Sequence, residues 1–222
     1  MAVSRLATAT GAQASGSSAT LATTATCNTA TSDANTAAIV GVVQSVSTNS
    51  TSTTCSITYG GTAMTQLDYA AGGSGTSRFA IGIFYLMNPA TGAQNIVATS
   101  GGTSTKTAIG VGGAVYSNVS GFGTVVSSAA APPITVPSAS DGMVFGVWSN
   151  GADITAVTTT QLYDAFVSVG GVGDAINVSD AAGTGSNISF GFTGTATTQF
   201  FKGVPINAVA AGTSTGDFFG LF

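Results

Sequence analysis

The chain has 222 residues, of which only 5% are charged, against roughly a quarter in an ordinary soluble domain. It contains no histidine and no glutamate, and its net charge of −4 reflects aspartates set against Arg5, Arg78, Lys106 and Lys202. No basic field exists to hold phosphate backbones, which argues against nucleic acid as a partner. The missing histidine also removes the usual neutral-pH proton shuttle and the commonest metal ligand.

Thr, Ala, Gly and Ser make up more than half of the residues, with Val, Ile and Phe supplying the bulk. Leucine and lysine are scarce, so the good helix formers are missing. Thr and Val favour strands, and Gly and Ser favour turns. The class is all-β. The first 20 residues lack the apolar stretch of a secretory signal, and the longest apolar run, residues 79–87, is too short to cross a bilayer as a helix. A protein made in the cytoplasm, with no membrane partner, is expected.

In chain order, residues 1–19 read as an extended arm without sustained periodicity. Residues 37–46 form the first strong strand, with Val40, Val42 and Val46 on one face and Ile39 and Val43 on the other. Residues 56–59 and 62–67 read as a hairpin across Gly60-Gly61. Residues 79–87 are apolar on both faces, Phe79, Ile81, Ile83, Tyr85 and Met87 against Ala80, Gly82, Phe84 and Leu86, so this strand belongs at a sheet centre. A turn at 88–92 leads into 94–99. Along 107–116 the face carrying Ala108, Gly110, Gly112 and Ala114 is small enough for another backbone to come close.

Pro132, Pro133 and Pro137 bracket an edge-like segment, and 143–148 is a strand between two Gly turns. Residues 161–169 alternate, as do Ile188, Phe190 and Phe192. Residues 199–209 close the domain, with Pro205 pushing that strand toward an edge. The whole predicts an antiparallel two-sheet β-sandwich, jelly-roll-like, over residues 20–209. An arm precedes it at 1–19, and a tail follows at 210–222. That tail carries Phe218, Phe219, Leu221 and Phe222, an expected assembly anchor.

Few motifs for chemistry survive inspection. Cys27 and Cys55 leave open either a disulfide between strands or two buried thiols. Gly212-Thr213-Ser214-Thr215-Gly216 spells a nucleophile elbow, but it has no histidine to serve it. A Ser–Lys dyad on Lys106 or Lys202 is a coincidence that abundant serine makes cheap. Asp174 and Asp180 could pair for glycoside chemistry or calcium, yet turn capping suits them better. Asn49, Asn118, Asn177 and Asn187 begin N-x-S/T triplets at the rate composition alone produces. Trp148, Tyr59, Tyr69, Tyr116 and Tyr163 fall inside strand patterns and read as core rather than as a sugar-stacking platform. No catalytic residue, cofactor or metal is expected.

The segments Ile57-Thr58-Tyr59-Gly60-Gly61-Thr62-Ala63-Met64-Thr65 and Ile83-Phe84-Tyr85-Leu86-Met87-Asn88-Pro89-Ala90-Thr91-Gly92 resemble a β-sandwich module of tailed-phage and prophage proteins. Ser189-Phe190-Gly191-Phe192 and residues 199–210 are similar to that module's last hairpin. The resemblance covers roughly residues 20–210 and implies a virion component without catalytic residues. A capsid decoration subunit bound to the outside of the shell is the leading expectation. Its partners would be the major capsid protein and its own copies, as trimers or another closed homo-oligomer. A minor tail or fibre protein that binds host carbohydrate or a receptor is the alternative, and it would show exposed aromatics near Trp148 or Tyr69. An extracellular filament subunit is the other rival, and it would carry an amino-terminal signal.

Overall fold

The computed structural model describes residues 1–46, 53–72, 78–169, 172–195 and 197–210. Within them the chain is all-β, antiparallel and free of helix. The strands are β1 (Ser4–Thr8), β2 (Ala12–Ser18), β3 (Ala22–Thr29), β4 (Ala37–Val46) and β5 (Thr54–Tyr59). There follow β6 (Thr62–Ala63), β7 (Thr65–Gly72), β8 (Arg78–Met87), β9 (Gly92–Gly101) and β10 (Lys106–Ser117). The second half adds β11 (Val119–Phe122), β12 (Val126–Ser128), β13 (Ile134–Val136), β14 (Met143–Asn150) and β15 (Ala156–Val157). The last five are β16 (Thr160–Val169), β17 (Val172–Ala182), β18 (Ile188–Phe190), β19 (Phe192–Thr193) and β20 (Gln199–Ala208).

The sandwich is deeper than two sheets. Sheet I runs β3-β9-β5-β6; sheet II runs β10-β4-β8-β7, with β1 and β2 sharing the outer edge of β10. Sheet III runs β20-β14-β17-β16, with β11 and β12 sharing the outer edge of β20. Two short pairs, β13–β18 and β15–β19, complete the set. One core, with Val40, Val42, Tyr59, Phe84 and Ile96, lies between sheets I and II. A second, with Ile39, Ile81, Ile83, Phe145, Val147 and Val178, lies between sheets II and III. A third joins the far face of sheet III to the short pairs through Trp148, Phe201, Phe190 and Val136.

This layering explains the sequence patterns. Strand β4 is buried at all its positions because sheet II is covered on both faces, whereas β3 alternates because sheet I has one face in solvent. Strand β8 sits between β4 and β7, as its two apolar faces predict. Each Phe, Ile or Val so buried contributes about 1.5–3 kcal/mol. The β5–β6 hairpin turns through Gly60 and Gly61, at φ of 57° and 83°, the pair of positive values that a two-residue turn of matching twist requires.

The structure revises two expectations. Residues 1–19 are not a free arm: β1 and β2 pair with β10 from Ser4↔Ser117 through Lys106↔Ser18. Ala7, Ala9, Ala12 and Ala14 face the sheet I core, and a phase shift at Gly11, φ 68°, masks their alternation. Strand β20 is not an edge either; it lies between β14 and the β11/β12 pair. Pro205 is tolerated because its outward side falls in the gap between β11 and β12, where its carbonyl accepts from Gly123 N–H. The tail at 211–222, with Phe218, Phe219, Leu221 and Phe222, lies outside the described residues.

Sheets II and III come together where side chains are absent. A Cβ on Gly41 would sit 2.4 Å from a Val147 methyl, and one on Gly112 would sit 2.7 Å from Tyr163 Cβ. The small face expected along β10 is therefore a seat for sheet III side chains, Tyr163 on Gly112 and Ile176 on Gly110. Gly112→Val should overpack this seat and destabilise the fold by about 1–3 kcal/mol. A lowered urea midpoint with unchanged slope would show it; an unchanged midpoint would mean the seat is loose.

Candidate functional site

Chemistry in a chain this poor in charge has to come from its few ionisable side chains, and five of them, Arg5, Asp68, Asp174, Asp180 and Lys202, lie at the boundary between sheets II and III. Asp174, Ile176, Val178 and Asp180 share one face of β17. Asp180, 1% exposed, accepts from Tyr116 Oη at 2.7 Å and from Arg5 at 2.8 Å. Burial pushes its carboxyl up, and Tyr116 and Arg5 pull the other way. Asp174 lies toward the other end of the strand, accepting from Ser149 Oγ at 3.0 Å. Burial holds its carboxyl well above the ordinary carboxylate range, opposed only by that hydroxyl. Beside it is a cavity of about 10 Å³ lined by Gln13, Ile109, Gly110 and Ile176, about the room one water needs.

These aspartates do not cap turns, as the sequence suggested; they stand inside a central strand. Nor do they form a pair. Six residues at about 3.3 Å each separate them by roughly 20 Å, far beyond the carboxylate spacing of either glycosidase class. Among the described residues no cluster of three His, Cys, Asp or Glu could hold a metal.

The Ser–Lys arrangement does occur. Lys202, 1% exposed, donates to Asp68 of β7 and, at 2.9 Å, to Ser127 Oγ of β12. Ser127 in turn donates to Asp68 at 3.3 Å. Lys202 thus donates hydrogen bonds to both partners, and the Ser127 hydroxyl donates to a carboxylate rather than to the lysine. A nucleophilic serine needs a lysine that accepts, so this triangle is an ion pair tying β20 to β7. Lys106 is buried, and its ammonium donates to the carbonyls of Ala19, at 3.1 Å, and Gly101. Burial lowers its pKa.

Cys27 and Cys55 are free thiols. They flank β9 opposite Gln94 and Ser100, six residues apart, so the disulfide alternative fails on reach: roughly 20 Å of strand against the ~7 Å a bridge spans. Burial raises the Cys27 thiol and pushes Cys55 up to about 12. Thiol titration without reductant should count two per unfolded chain, with slow reaction in the native protein at mildly alkaline pH. A count below two would show a bond.

The aromatics are core. Trp148 is buried against Phe192 and Phe201, with ring centroids 5.0 and 4.5 Å away. Tyr59 and Tyr116 are buried, and Tyr69 is half-buried, donating to Gln44 Oε1 at 3.2 Å. Tyr163 packs on Gly11 and Gly112. Asn177 is buried and Asn118 donates to the Ala2 carbonyl, while Asn187 is exposed. Asn49 and the Gly212–216 segment lie outside the described residues. A surface groove of about 310 Å³ runs past Thr124, Pro137, Ser138, Ala139, Pro205 and Asn207, with no ionisable side chain along it. Comparison with known protein families, curated proteins and solved structures returns no match.

Sequence reasoning missed the role of β17, whose Asp174 and Asp180 interrupt an apolar inner face. The available signal was their even spacing with Ile176 and Val178. The pH consequence has a definite sign. An unfolded aspartate titrates near 4, and the folded chain holds Asp174 protonated above that. Stability from this site is therefore full below about pH 4 and is lost as the pH rises toward the folded-state value. Asp180, also raised, acts in the same direction. Asp174→Asn should be more stable than wild type at neutral pH, with a pH dependence flatter by up to about 1.4 kcal/mol per unit. Urea midpoints across the acid-to-neutral range test this; parallel curves for the two proteins would refute it.

Proposed function

We propose that the protein is a non-catalytic virion accessory subunit, a capsid decoration protein that binds the outside of the shell and its own copies in a closed homo-oligomer. One observation carries the non-catalytic part. The three described basic side chains, Arg5, Lys106 and Lys202, are all committed to contacts within the chain. The particle itself is supported by the resemblance of residues 57–65 and 83–92 to the tailed-phage module. Hydroxyl-rich outer strands such as β3 suit a subunit whose copies sit side by side with little charge repulsion.

The alternative, a minor tail or fibre protein reading host carbohydrate, needs aromatic faces in solvent. Trp148 is buried and Tyr69 only half-exposed, which favours the decoration reading. In particles from cells carrying the gene, mass spectrometry of separated heads and tails should find the protein with the heads. Its presence only with tails would favour the alternative, and its absence from particles would end both readings. The anchor role of Phe218, Phe219, Leu221 and Phe222 makes a second expectation. Deleting residues 217–222 should leave thermal unfolding unchanged while lowering occupancy on the particle, and equal occupancy would dismiss the anchor. Screens for esterase, glycosidase and protease turnover should be blank.

A further inference from the structure

Sheet edges are where a β protein meets other chains, because an edge strand presents unpaired N–H and C=O groups. Most edges in this molecule are blunted. Strand β3 is partly capped by Thr10, whose N–H donates to the Thr26 carbonyl at 2.8 Å. Strand β6 has two residues, and β11 and β12 have four and three. Strand β7 bulges between Gln66 and Asp68 and turns Asp68 toward Lys202. Strands β1 and β2 are each bulged against β10 and are separated at Gly11.

Strand β16 is less protected, its one irregularity lying between Gln161 and Tyr163. Among the described residues it pairs with β17 alone, and after a bulge at its start the register runs without interruption from Tyr163↔Val178 to Val169↔Val172. The stretch holds no Pro, Gly or Lys, and its single charge is Asp164. None of the side chains from Thr160 to Phe166 is buried, whereas those of β17 from Asp174 to Asp180 all are. Phe166 is 41% exposed, and it stands at the midpoint of the uninterrupted seven residues.

We propose that β16 is a self-recognition edge: it pairs antiparallel with β16 of a second copy about a twofold axis through Phe166, joining the two copies of sheet III into one continuous sheet. The proposal rests on the reading of the protein as an assembly subunit and supplies its contact. The second copy fits for two reasons. Centring on Phe166 uses all seven residues of the uninterrupted register of both strands and brings the two exposed rings together, an arrangement favourable across antiparallel strands. The same register sets Asp164 opposite position 168 of the second copy rather than opposite its twin. The two carboxylates then stand four residues apart, roughly 13 Å at 3.3 Å per residue, beyond the ~10 Å screening length of a 0.1 M salt solution. The contact is isologous, so it closes on itself and does not propagate into a filament.

Directly opposed residues on antiparallel strands have Cα atoms about 4.5–5.5 Å apart, within disulfide reach, so oxidation reads the register. In purified full-length protein, Phe166→Cys should form a covalent dimer under mild oxidation, while wild type and Asp164→Cys should not. Phe166→Lys should shift sedimentation from a concentration-dependent dimer to a monomer without changing thermal unfolding. If Phe166→Cys stays monomeric, if Asp164→Cys cross-links as fast, or if Phe166→Lys leaves the dimer intact, this contact is wrong. The head-and-tail measurement is independent. A particle-bound protein without the cross-link would retire the edge and keep the function; a cross-linked protein absent from particles would do the reverse.

Discussion

The packing of sheet II against sheet III is the constraint on which the rest of the molecule depends. Two twisted sheets can interdigitate closely only if bulky residues on one meet gaps on the other. Here the gaps are glycines: Gly41 receives Val147, Gly110 receives Ile176 and Gly112 receives Tyr163. Residues 4–117 build sheets I and II, and residues 119–208 build sheet III and the short pairs. The interface between II and III is therefore what makes one body of the two halves of the chain.

Four of the charged groups bridge the same interface. Arg5 and Tyr116 of sheet II hold Asp180 of sheet III, and Asp68 of sheet II holds Lys202 of sheet III. Desolvating such groups costs several kcal/mol per ion, so pairs of this kind add little net stability against apolar replacements. Their value lies in geometry. An apolar interface between flat sheets tolerates sliding, whereas a buried carboxylate that loses its partners is costly. The two bridges therefore penalise any displacement of sheet II over sheet III.

Outside lie a hydroxyl- and amide-rich surface, the exposed Asp33, Asp141 and Asp153, and the edges of the sheets. Strand β16 is the outer strand of sheet III among the described residues. Tyr163 packs on Gly11 and Gly112, while Phe166 is 41% exposed.

Local sequence determined the class and much of the strand map. Val, Thr and Ile without helix formers imposed an all-β chain. The two-faced patterns at 37–46 and 79–87 identified central strands, and Gly60-Gly61 identified a hairpin, because periodicity and turn residues report the local backbone and the number of covered faces. It could not say which sheet a strand joins. Alternation looks the same whether the partner is near or distant, so the arm at 1–19, the interior place of β20 and the full stack of layers came only from long-range pairing. The same holds for the candidate site. Asp174 and Asp180 look like turn residues in a line of letters; burial in β17 raised the carboxyl pKa of one and made the other an inter-sheet pin. Cys27 and Cys55 look like a pair until strand register sets them on opposite sides of β9, six residues out of step. Composition settled how few charges there were, and tertiary packing decided which of them would bridge sheets II and III.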